Sequence, residues 1–280
     1  MKEEYITVGG IDTRYLVSGG GAAVVLIHGL GEFLETWWYN ITPLSQRFTV
    51  YAIDLPGHGM SSEWKQDYTL DFGVRFVVDF METMGIQRAH LVGRSLGAPI
   101  CLNLAVNFPQ RVDRLVLVSL AGFSRDIPLS YRLAALPVLR DILLVPGVLI
   151  NRATVRVGMR RQFYDPGAVP EEWVDAAVKY LKMPKRKDAI QAIIRSNLRA
   201  ADELPEAALI DRLRRIESPT LLIHGRQDRV VAVEHAYSVS RLIPQAKLEV
   251  FEHCGHNPQI EKASRFNRVV LAFLSSNLAE

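Results

Sequence analysis

The sequence predicts an α/β fold: a mostly parallel, doubly wound sheet with an N-terminal antiparallel hairpin and an inserted helical lid. Short apolar runs, typical of buried parallel strands, alternate with longer helix-compatible stretches. Near the N-terminus, two alternating runs flank Gly9-Gly10, which favours a hairpin turn. Roughly a hundred residues without a clear buried strand then interrupt the alternation, far more than an ordinary loop contains.

Each apolar run predicts one element. The hairpin covers residues 5–17, and buried strands are predicted at 23–27, 48–53, 89–92, 115–119, 220–224 and 248–251. Helices are predicted at 69–84, 95–107, 233–242 and 262–274. Because active groups in such sheets gather beyond the carboxyl ends of the strands, the residues following each strand are the functional candidates.

The interruption divides the chain into a core domain, residues 1–122 and 206–280, and a lid, residues 123–205. Prolines divide the lid into short helical pieces. Apolar residues are dense between positions 133 and 150, where they either pack on the core or floor an acyl pocket. The lid is therefore expected to be an insertion and not an independent domain.

Composition and charge narrow the classes of function. The chain is 49% apolar and 22% charged, with a net charge of +3 and two cysteines, which is ordinary for a globular protein of a reducing cytoplasm. No secretory signal and no bilayer-spanning run are apparent, so stable membrane insertion is not expected. Nucleic-acid binding is not expected either, because stacking aromatics are not interleaved with the basic residues. No cofactor is predicted, and a homo-oligomer remains open.

Positive charge is concentrated in the lid. Residues 124–200 contain 14 Lys and Arg but 7 Asp and Glu, and the arginines at 152, 156 and 160 repeat at the spacing of one helical stripe. The stripe is interpreted either as a solvated helix face or as a basic rim that attracts an anionic substrate or a lipid surface.

A G-x-S-x-G motif at residues 93–97 supplies a candidate nucleophile, Ser95. It lies between a predicted strand and a predicted helix, where a serine on a sharp turn presents its hydroxyl at the sheet edge. Gly93 and Gly97 fit this turn because a Cβ at either position is expected to collide with its opposite arm. The motif alone is weak, since ordinary turns also match it.

Two further residues complete a nucleophilic site. A serine needs a base to take its proton, and the base needs an acceptor to fix its tautomer. Asp228 and His256 each follow a predicted strand, so both are expected at the same sheet edge as Ser95. Asp228 can alternatively cap a turn, and His253 competes with His256. The two histidines are not interpreted as a metal site, because no carboxylate cluster accompanies them.

Backbone N–H groups are expected to bind the negative charge that develops during acyl transfer. Leu30, in a glycine-rich turn after a strand, and Leu96, at the start of a helix, are the candidates. His28 is interpreted as a brace for the first turn. The candidate substrate contacts are Gly29, Trp37, Arg94 and Asn257.

Taken together, these residues make the chain similar to the α/β-hydrolase fold family over nearly its whole length. The resemblance is carried by residues 26–31 (LIHGLG), 54–61 (DLPGHGMS), 93–97 (GRSLG), 224–228 (HGRQD) and 255–256 (GH). It implies the α/β-hydrolase fold, a Ser95–Asp228–His256 triad and a structural role for His58. A serine at position 95 disfavours dehalogenase and epoxide hydrolase chemistry, which use a carboxylate nucleophile.

The leading functional prediction is a carboxylesterase-like serine hydrolase that cleaves small-molecule esters of small to medium acyl chains through an acyl-enzyme. The alternative is a carbon–carbon bond hydrolase of ring-fission dienoates. That subfamily has Asn before the nucleophile, Trp after the histidine and a lid arginine, where this chain has Arg94, Asn257 and Ala177. Arg94 is expected either to bind a carboxylate or to form a salt bridge that points outward. A low-turnover ligand-binding role, acyl transfer and thioester hydrolysis stay open.

Overall fold

A computed structural model describes residues 2–64, 67–121, 150–184, 186–203 and 206–276. The strands are β1 (Lys2–Val8), β2 (Ile11–Gly19), β3 (Ala23–Ile27), β4 (Thr49–Ile53), β5 (Ala89–Arg94), β6 (Val112–Val118), β7 (Thr220–Gly225) and β8 (Lys247–Phe251). The helices are α1 (Trp38–Ser45), α2 (Leu70–Thr83), α3 (Gly97–Asn107), α4 (Arg152–Arg160), α5 (Glu171–Leu181), α6 (Arg186–Glu203), α7 (Glu206–Arg214), α8 (Val233–Leu242), α9 (Pro258–Glu261) and α10 (Ala263–Ser275).

The strands form one eight-stranded sheet in the order β1-β2-β4-β3-β5-β6-β7-β8. β1 pairs antiparallel with β2, and β2 pairs antiparallel with β4. All remaining pairs, from β4 across to β8, are parallel. The predicted fold class, with its hairpin and its parallel sheet, is confirmed.

Both faces of the sheet are covered, which explains the continuous apolar runs of its central strands. In β3, Val25 and Ile27 belong to one core cluster with residues of α2 and α3. The alternate residues Val24 and Leu26 belong to a second cluster with residues of α1 and α10. This division follows from the two-residue period of a strand, which sends successive side chains to opposite faces.

The predicted helix at 95–107 begins two residues late, at Gly97. Ser95 has φ 50°, in the left-handed region, so it cannot belong to a right-handed helix. Gly97 to Val106 are buried on every side, which is why this segment reads as uniformly apolar and not as amphipathic.

Helices α4 to α7 lie between β6 and β7, in the interval that the sequence assigned largely to a lid. The apolar stretch at 133–149 lies outside the described residues, and the predicted domain boundaries stay a prediction. Ile150 packs in a third cluster with α5 residues such as Trp173 and Val174, and Phe33 of the core domain joins it. In the described residues, no helix is both long and apolar enough to cross a membrane.

The arginine stripe lies on a solvent-exposed face, in keeping with the first interpretation, and it also forms ion pairs with a neighbouring helix. Arg152 forms ion pairs with Glu171 and Asp175, and Arg156 pairs with Glu171. These pairs join α4 to α5. Arg160, the last arginine of the stripe, is exposed and forms no ion pair with another described residue. Because the carboxylates lie on another helix, the stripe's own sequence could not reveal them.

Candidate active site

The nucleophile turn follows directly from the end of β5. The Ser95 N–H donates to Val118 O at 2.9 Å, which extends the β5–β6 pairing by one residue before the chain turns into α3. A Cβ at Gly93 would lie 2.4 Å from Gly97 O, so the expected collision with the opposite arm is present there. The turn is therefore closed by backbone contact, and the strained φ of Ser95 is held by strand and helix on either side.

For Gly97 the expectation needs a correction. A Cβ at this position would lie 2.4 Å from Ile27 O and 2.6 Å from His28 O. The collision is therefore with the end of β3 and not with the opposite arm of the turn. The absence of a side chain lets α3 begin directly against the strand that leads into the glycine-rich turn.

The structure brings Ser95, His256 and Asp228 together. His256 Nε2 lies 3.2 Å from Ser95 Oγ, and His256 Nδ1 lies 2.6 Å from Asp228 Oδ2. The three residues come from the loops after β5, β7 and β8, whose carboxyl ends share one edge of the sheet. His253, the competing histidine, instead contacts the ring of Tyr164.

The side chain of Asp228 is fully buried, and both of its oxygens accept hydrogen bonds. Oδ1 accepts from the N–H groups of Val230 and Val231 at 2.8 and 3.0 Å. Oδ2 faces His256 and also lies 3.2 Å from His224 Nε2. Burial opposes its charge, but the two histidines outweigh this effect and hold the pKa of Asp228 well below its usual range. Asp228 is consequently a permanent carboxylate near neutral pH.

His256 is almost completely buried, and burial lowers its pKa below the ordinary 6.5. Asp228 acts in the opposite direction by stabilising the imidazolium, and the positive charge of Arg94 adds to the lowering. The imidazole is therefore neutral at pH 7, with Nε2 free of a proton and directed at the serine hydroxyl. This is the state that a general base requires.

The glycine-rich turn after β3 is held by His28. Leu55 N–H donates to His28 Nε2 at 3.1 Å, so the hydrogen-bond pattern assigns the ring proton to Nδ1, which donates to Gly29 O at 2.8 Å. In a trans peptide the N–H of Leu30 points opposite to Gly29 C=O. Fixing the carbonyl therefore fixes the direction of the predicted charge-binding donor.

The second predicted donor, Leu96, is the residue immediately before α3, at the positive end of that helix's dipole. Across the described ranges, neither the Leu30 N–H nor the Leu96 N–H has a hydrogen-bond acceptor in the protein. Two such N–H groups beside a nucleophile can bind the oxyanion of a tetrahedral intermediate.

Of the four predicted substrate contacts, Gly29 lies at the site: a Cβ there would come within 3.0 Å of Ser95 Cβ. Trp37 does not, and the prediction is wrong for it. Its indole is fully buried in the core against Phe266, because Trp37 lies in the turn that leads into α1 and faces the sheet. Asn257 is also fully buried, with its Oδ1 occupied by Arg94 at 2.7 Å.

Arg94 corrects the sequence interpretation as well. Its side chain does not point outward: it is 2% exposed and paired with Glu32, which is also buried. β5 is a central strand covered on both faces, so its last side chain has no route to solvent. Glu32 itself was missed by sequence reasoning, because a glutamate is seldom buried unless it is paired and its partner Arg94 is distant in the sequence.

Arg186, at the start of α6, is another buried cation that the sequence did not single out. It is 2% exposed, and its Nη2 donates to Gly59 O at 2.9 Å, whereas Nε and Nη1 have no partner in the described part of the chain. It lines a small cavity together with Gly31, Ala177 and His58, whose Nε2 also lacks a partner. The cavity therefore offers hydrogen-bonding groups next to the glycine-rich turn.

The profile of the alpha/beta hydrolase fold family matches residues 22–142 and 170–263. The chain belongs to the α/β-hydrolase fold family. It is 33% identical over 270 residues to a dihydrolipoyllysine-residue acetyltransferase component of the acetoin cleaving system from Cupriavidus necator, covering 95% of this chain and 67% of that protein. It is 32% identical over 276 residues to 2-hydroxy-6-oxo-2,4-heptadienoate hydrolase of Pseudomonas putida, covering 97% of this chain and 95% of the relative.

Solved structures give the same family. A meta-cleavage product hydrolase from Pseudomonas fluorescens superposes with a TM-score of 0.79 at 28% identity, covering 97% of each chain. A membrane phospholipase A superposes with a TM-score of 0.79 at 28% identity, covering 98% of this chain and 85% of the other. Neighbours of one fold thus include both carbon–carbon bond hydrolases and a phospholipase.

No group of His, Cys, Asp and Glu with metal-binding geometry occurs in the described ranges.

Proposed function

We propose that the protein is a serine hydrolase of carboxylic esters. The observation that carries the proposal is the aligned contact series from the buried Asp228 through neutral His256 to Ser95 Oγ. Beside it are two backbone N–H groups that have no acceptor among the described residues. This arrangement supports acyl transfer, which needs a nucleophile, a base and an oxyanion site at one point.

In the proposed reaction, Ser95 Oγ attacks the ester carbonyl while His256 Nε2 takes its proton. The carbonyl oxygen becomes an oxyanion bound by the N–H groups of Leu30 and Leu96. His256 then returns the proton to the leaving alcohol, which departs and leaves an acyl-serine. Water, activated by the same imidazole, attacks this ester and releases the carboxylic acid and free Ser95.

An apolar cavity supports an alkyl or aryl acyl group. It is lined largely by aliphatic and aromatic side chains, among them Leu55, Tyr68, Phe72, Ile100 and Ile193. Leu96, whose N–H is the second proposed oxyanion donor, also lines it. The cavity therefore borders the residue that follows the nucleophile, and we place the acyl chain of the substrate there.

The test is hydrolysis of p-nitrophenyl esters from acetate to palmitate by the unaltered protein and by Ser95→Ala. We expect turnover at short or medium chain lengths, and its loss to the background rate in the variant with the fold retained by circular dichroism. The matched control is Ser240→Ala. Ser240 lies on α8 and is not part of the proposed site, so this variant should hydrolyse the esters like the unaltered protein. Turnover that persists in Ser95→Ala would contradict the proposal.

A second candidate is carbon–carbon hydrolysis of a ring-fission dienoate. It is favoured by the similarity to dienoate hydrolases and by Arg186. A dienoate carries a carboxylate, and two buried nitrogens of Arg186, beside the glycine-rich turn, have no partner in the described part of the chain. Turnover of a 2-hydroxy-6-oxohexa-2,4-dienoate that depends on both Ser95 and Arg186, with no ester turnover, would support this second function. Arg186→Met is expected to leave the KM for simple esters within about 3-fold, because these lack the carboxylate.

A further inference from the structure

The residue directly before the nucleophile connects two parts of the site that approach Ser95 from different loops. Arg94 Nη1 pairs with Glu32, in the segment that follows the glycine-rich turn. Arg94 Nη2 donates to Asn257 Oδ1 at 2.7 Å and to the backbone oxygen of His256 at 3.2 Å. One planar guanidinium therefore contacts both the segment next to the proposed oxyanion donor, Leu30, and the loop that carries the base, His256.

At its other end, the carboxylate of Glu32 holds the glycine-rich turn. Glu32 Oε2 accepts from the N–H of Gly29 at 3.0 Å and from Thr36 Oγ1 at 3.2 Å. The Gly29 N–H is thereby occupied, and the next N–H in the chain, that of Leu30, is the one left for a substrate. Any displacement of the Glu32 carboxylate is transmitted directly to the peptide that carries this donor.

Hydrogen bonds also hold the loop that carries the base, His256. His256 N–H donates to Gln162 O at 2.7 Å, and Arg94 Nη2 reaches Gln162 Oε1 at 3.3 Å. The backbone of His256 is thus held through its N–H by the helical insertion and through its carbonyl by Arg94. Removing the guanidinium frees one of these two anchors while leaving the contact between the imidazole and Asp228 formally possible.

Because both charges are buried, the ion pair between Arg94 and Glu32 is expected to contribute little to the stability of the fold. The Arg94 and Glu32 side chains are 2% and 6% exposed, and the desolvation of two such charges offsets much of their mutual attraction. An apolar pair would fill the same space without this cost. The forked geometry of arginine, by contrast, can bridge two acceptors at a fixed distance and angle, which an apolar pair or a lysine cannot do.

We propose that Arg94 and Glu32 act as a positioning pair. The pair holds the backbone N–H of Leu30, the oxyanion donor, and the imidazole of His256, the base, at the positions that each needs relative to Ser95. The pair does not touch the reacting atoms. It acts through the Gly29–Leu30 peptide on one side and through the backbone of His256 and the side chain of Asn257 on the other. The proposal rests on the function proposed above only for its choice of ester substrate.

The principal readout is the rate at which a fluorophosphonate labels Ser95, because phosphonylation uses the nucleophile, the base and the oxyanion donors without requiring the right ester. Arg94→Gln and Glu32→Gln are each expected to slow labelling and to lower kcat by about 10- to 100-fold, with KM within about 3-fold, as expected for misplaced catalytic groups. Because both substitutions break one pair, the double variant should be no slower than the slower single variant by more than about 3-fold.

Arg94→Lys separates charge from geometry. Lysine keeps the positive charge but has one amino group, so it cannot bridge Glu32 and Asn257 in one plane. We expect this variant to label nearly as slowly as Arg94→Gln. Full labelling in Arg94→Lys, or multiplicative losses in the double variant, would overturn the proposal.

The pH profile gives a readout that a merely structural pair would not change. Asp228, His224 and Arg94 are the charged or titratable groups that act on His256. Removing the positive charge in Arg94→Gln should move the midpoint of the labelling rate to higher pH, whereas Glu32→Gln leaves that charge unneutralised and should move it lower. Midpoints that stay at the value of the unaltered protein in both variants would overturn the proposal.

The control is Arg14→Gln, which breaks another buried arginine pair, with Glu35 and Asp54, outside the triad. We expect it to lower Tm yet to label within about 3-fold of the unaltered protein. If Arg94→Gln does not fold, Glu32→Gln, which is nearly isosteric, decides the question. Labelling of the unaltered protein without ester turnover would refute only the proposed function, whereas absence of labelling would refute both.

Discussion

Replacing Asp228 by Asn tests the site because the structure fixes what each amide atom would face. In the unaltered protein, Oδ1 accepts two backbone N–H groups, from Val230 and Val231, and Oδ2 faces His256 Nδ1 at 2.6 Å. An asparagine carries one oxygen and one NH2 group. The oxygen is expected to take the Oδ1 position, because two buried N–H donors would otherwise lose their acceptor.

The NH2 group then occupies the Oδ2 position and faces His256 Nδ1. Since an NH2 group only donates, Nδ1 must become the acceptor, and the imidazole proton moves to Nε2. In that tautomer Nε2 cannot accept the proton of Ser95, although the positions of the heavy atoms scarcely change. The substitution therefore removes the base without removing a side chain.

The expected loss in kcat is about 10³- to 10⁴-fold, which corresponds to about 4–5.5 kcal/mol in the activation barrier. KM should change much less, because the Asp228 side chain is fully buried behind His256 and is not expected to contact substrate. Stability should fall by only about 1–3 kcal/mol, the range for weakening charge-assisted hydrogen bonds.

The assay is steady-state hydrolysis of the best p-nitrophenyl ester, with urea unfolding of each variant in parallel. Glu252→Gln is the matched control, since Glu252 is an exposed acid near the same loop and pairs with Arg226. The control should retain full activity. A kcat for Asp228→Asn within about 10-fold of the unaltered protein would refute the tautomer argument, and loss of activity in Glu252→Gln would assign the acid elsewhere.

Three further results are expected. The value of kcat/KM should rise with pH and level off, with a midpoint below 6.5, because burial lowers the pKa of His256 and only the neutral imidazole accepts a proton; a flat profile, or a midpoint above 6.5, would contradict the assignment of the base. Gly97→Ala should lower the free energy of unfolding by about 1–3 kcal/mol, measured in urea, because its Cβ meets backbone oxygens of the β3 end that cannot move aside. Gly158→Ala, in α4 with open space around the new methyl group, should instead stabilise by about 0.5–1 kcal/mol; equal effects at the two glycines would show that the contact at Gly97 is not tight.

Many elements of this fold can be predicted from short stretches of the sequence. The strands of the parallel sheet are buried on both faces, so each reads as a short apolar run whatever its neighbours are. The order of Ser95, Asp228 and His256, each beyond its own strand, then places them at one edge through topology alone. That is why their convergence in the structure could be predicted without knowing any side-chain contact.

The errors came from side chains whose environment depends on distant parts of the chain. Trp37 was expected near substrate and lies in the core, because the face of its turn that meets the sheet is decided by packing against α10. Arg152 and Arg156 were expected on a solvated face or at an anionic substrate or lipid surface, and their ion pairs with carboxylates of α5 could not be predicted.

By itself, the sequence determined the sheet, the insertion and the identity of the three aligned catalytic candidates, because these depend on periodicity, turn chemistry and chain order. Only the tertiary structure decided that Arg94 turns inward to Glu32 and reaches the histidine loop. A charged side chain at the end of a central strand has no solvent to enter, and its partners come from segments about 60 and 160 residues away in the chain.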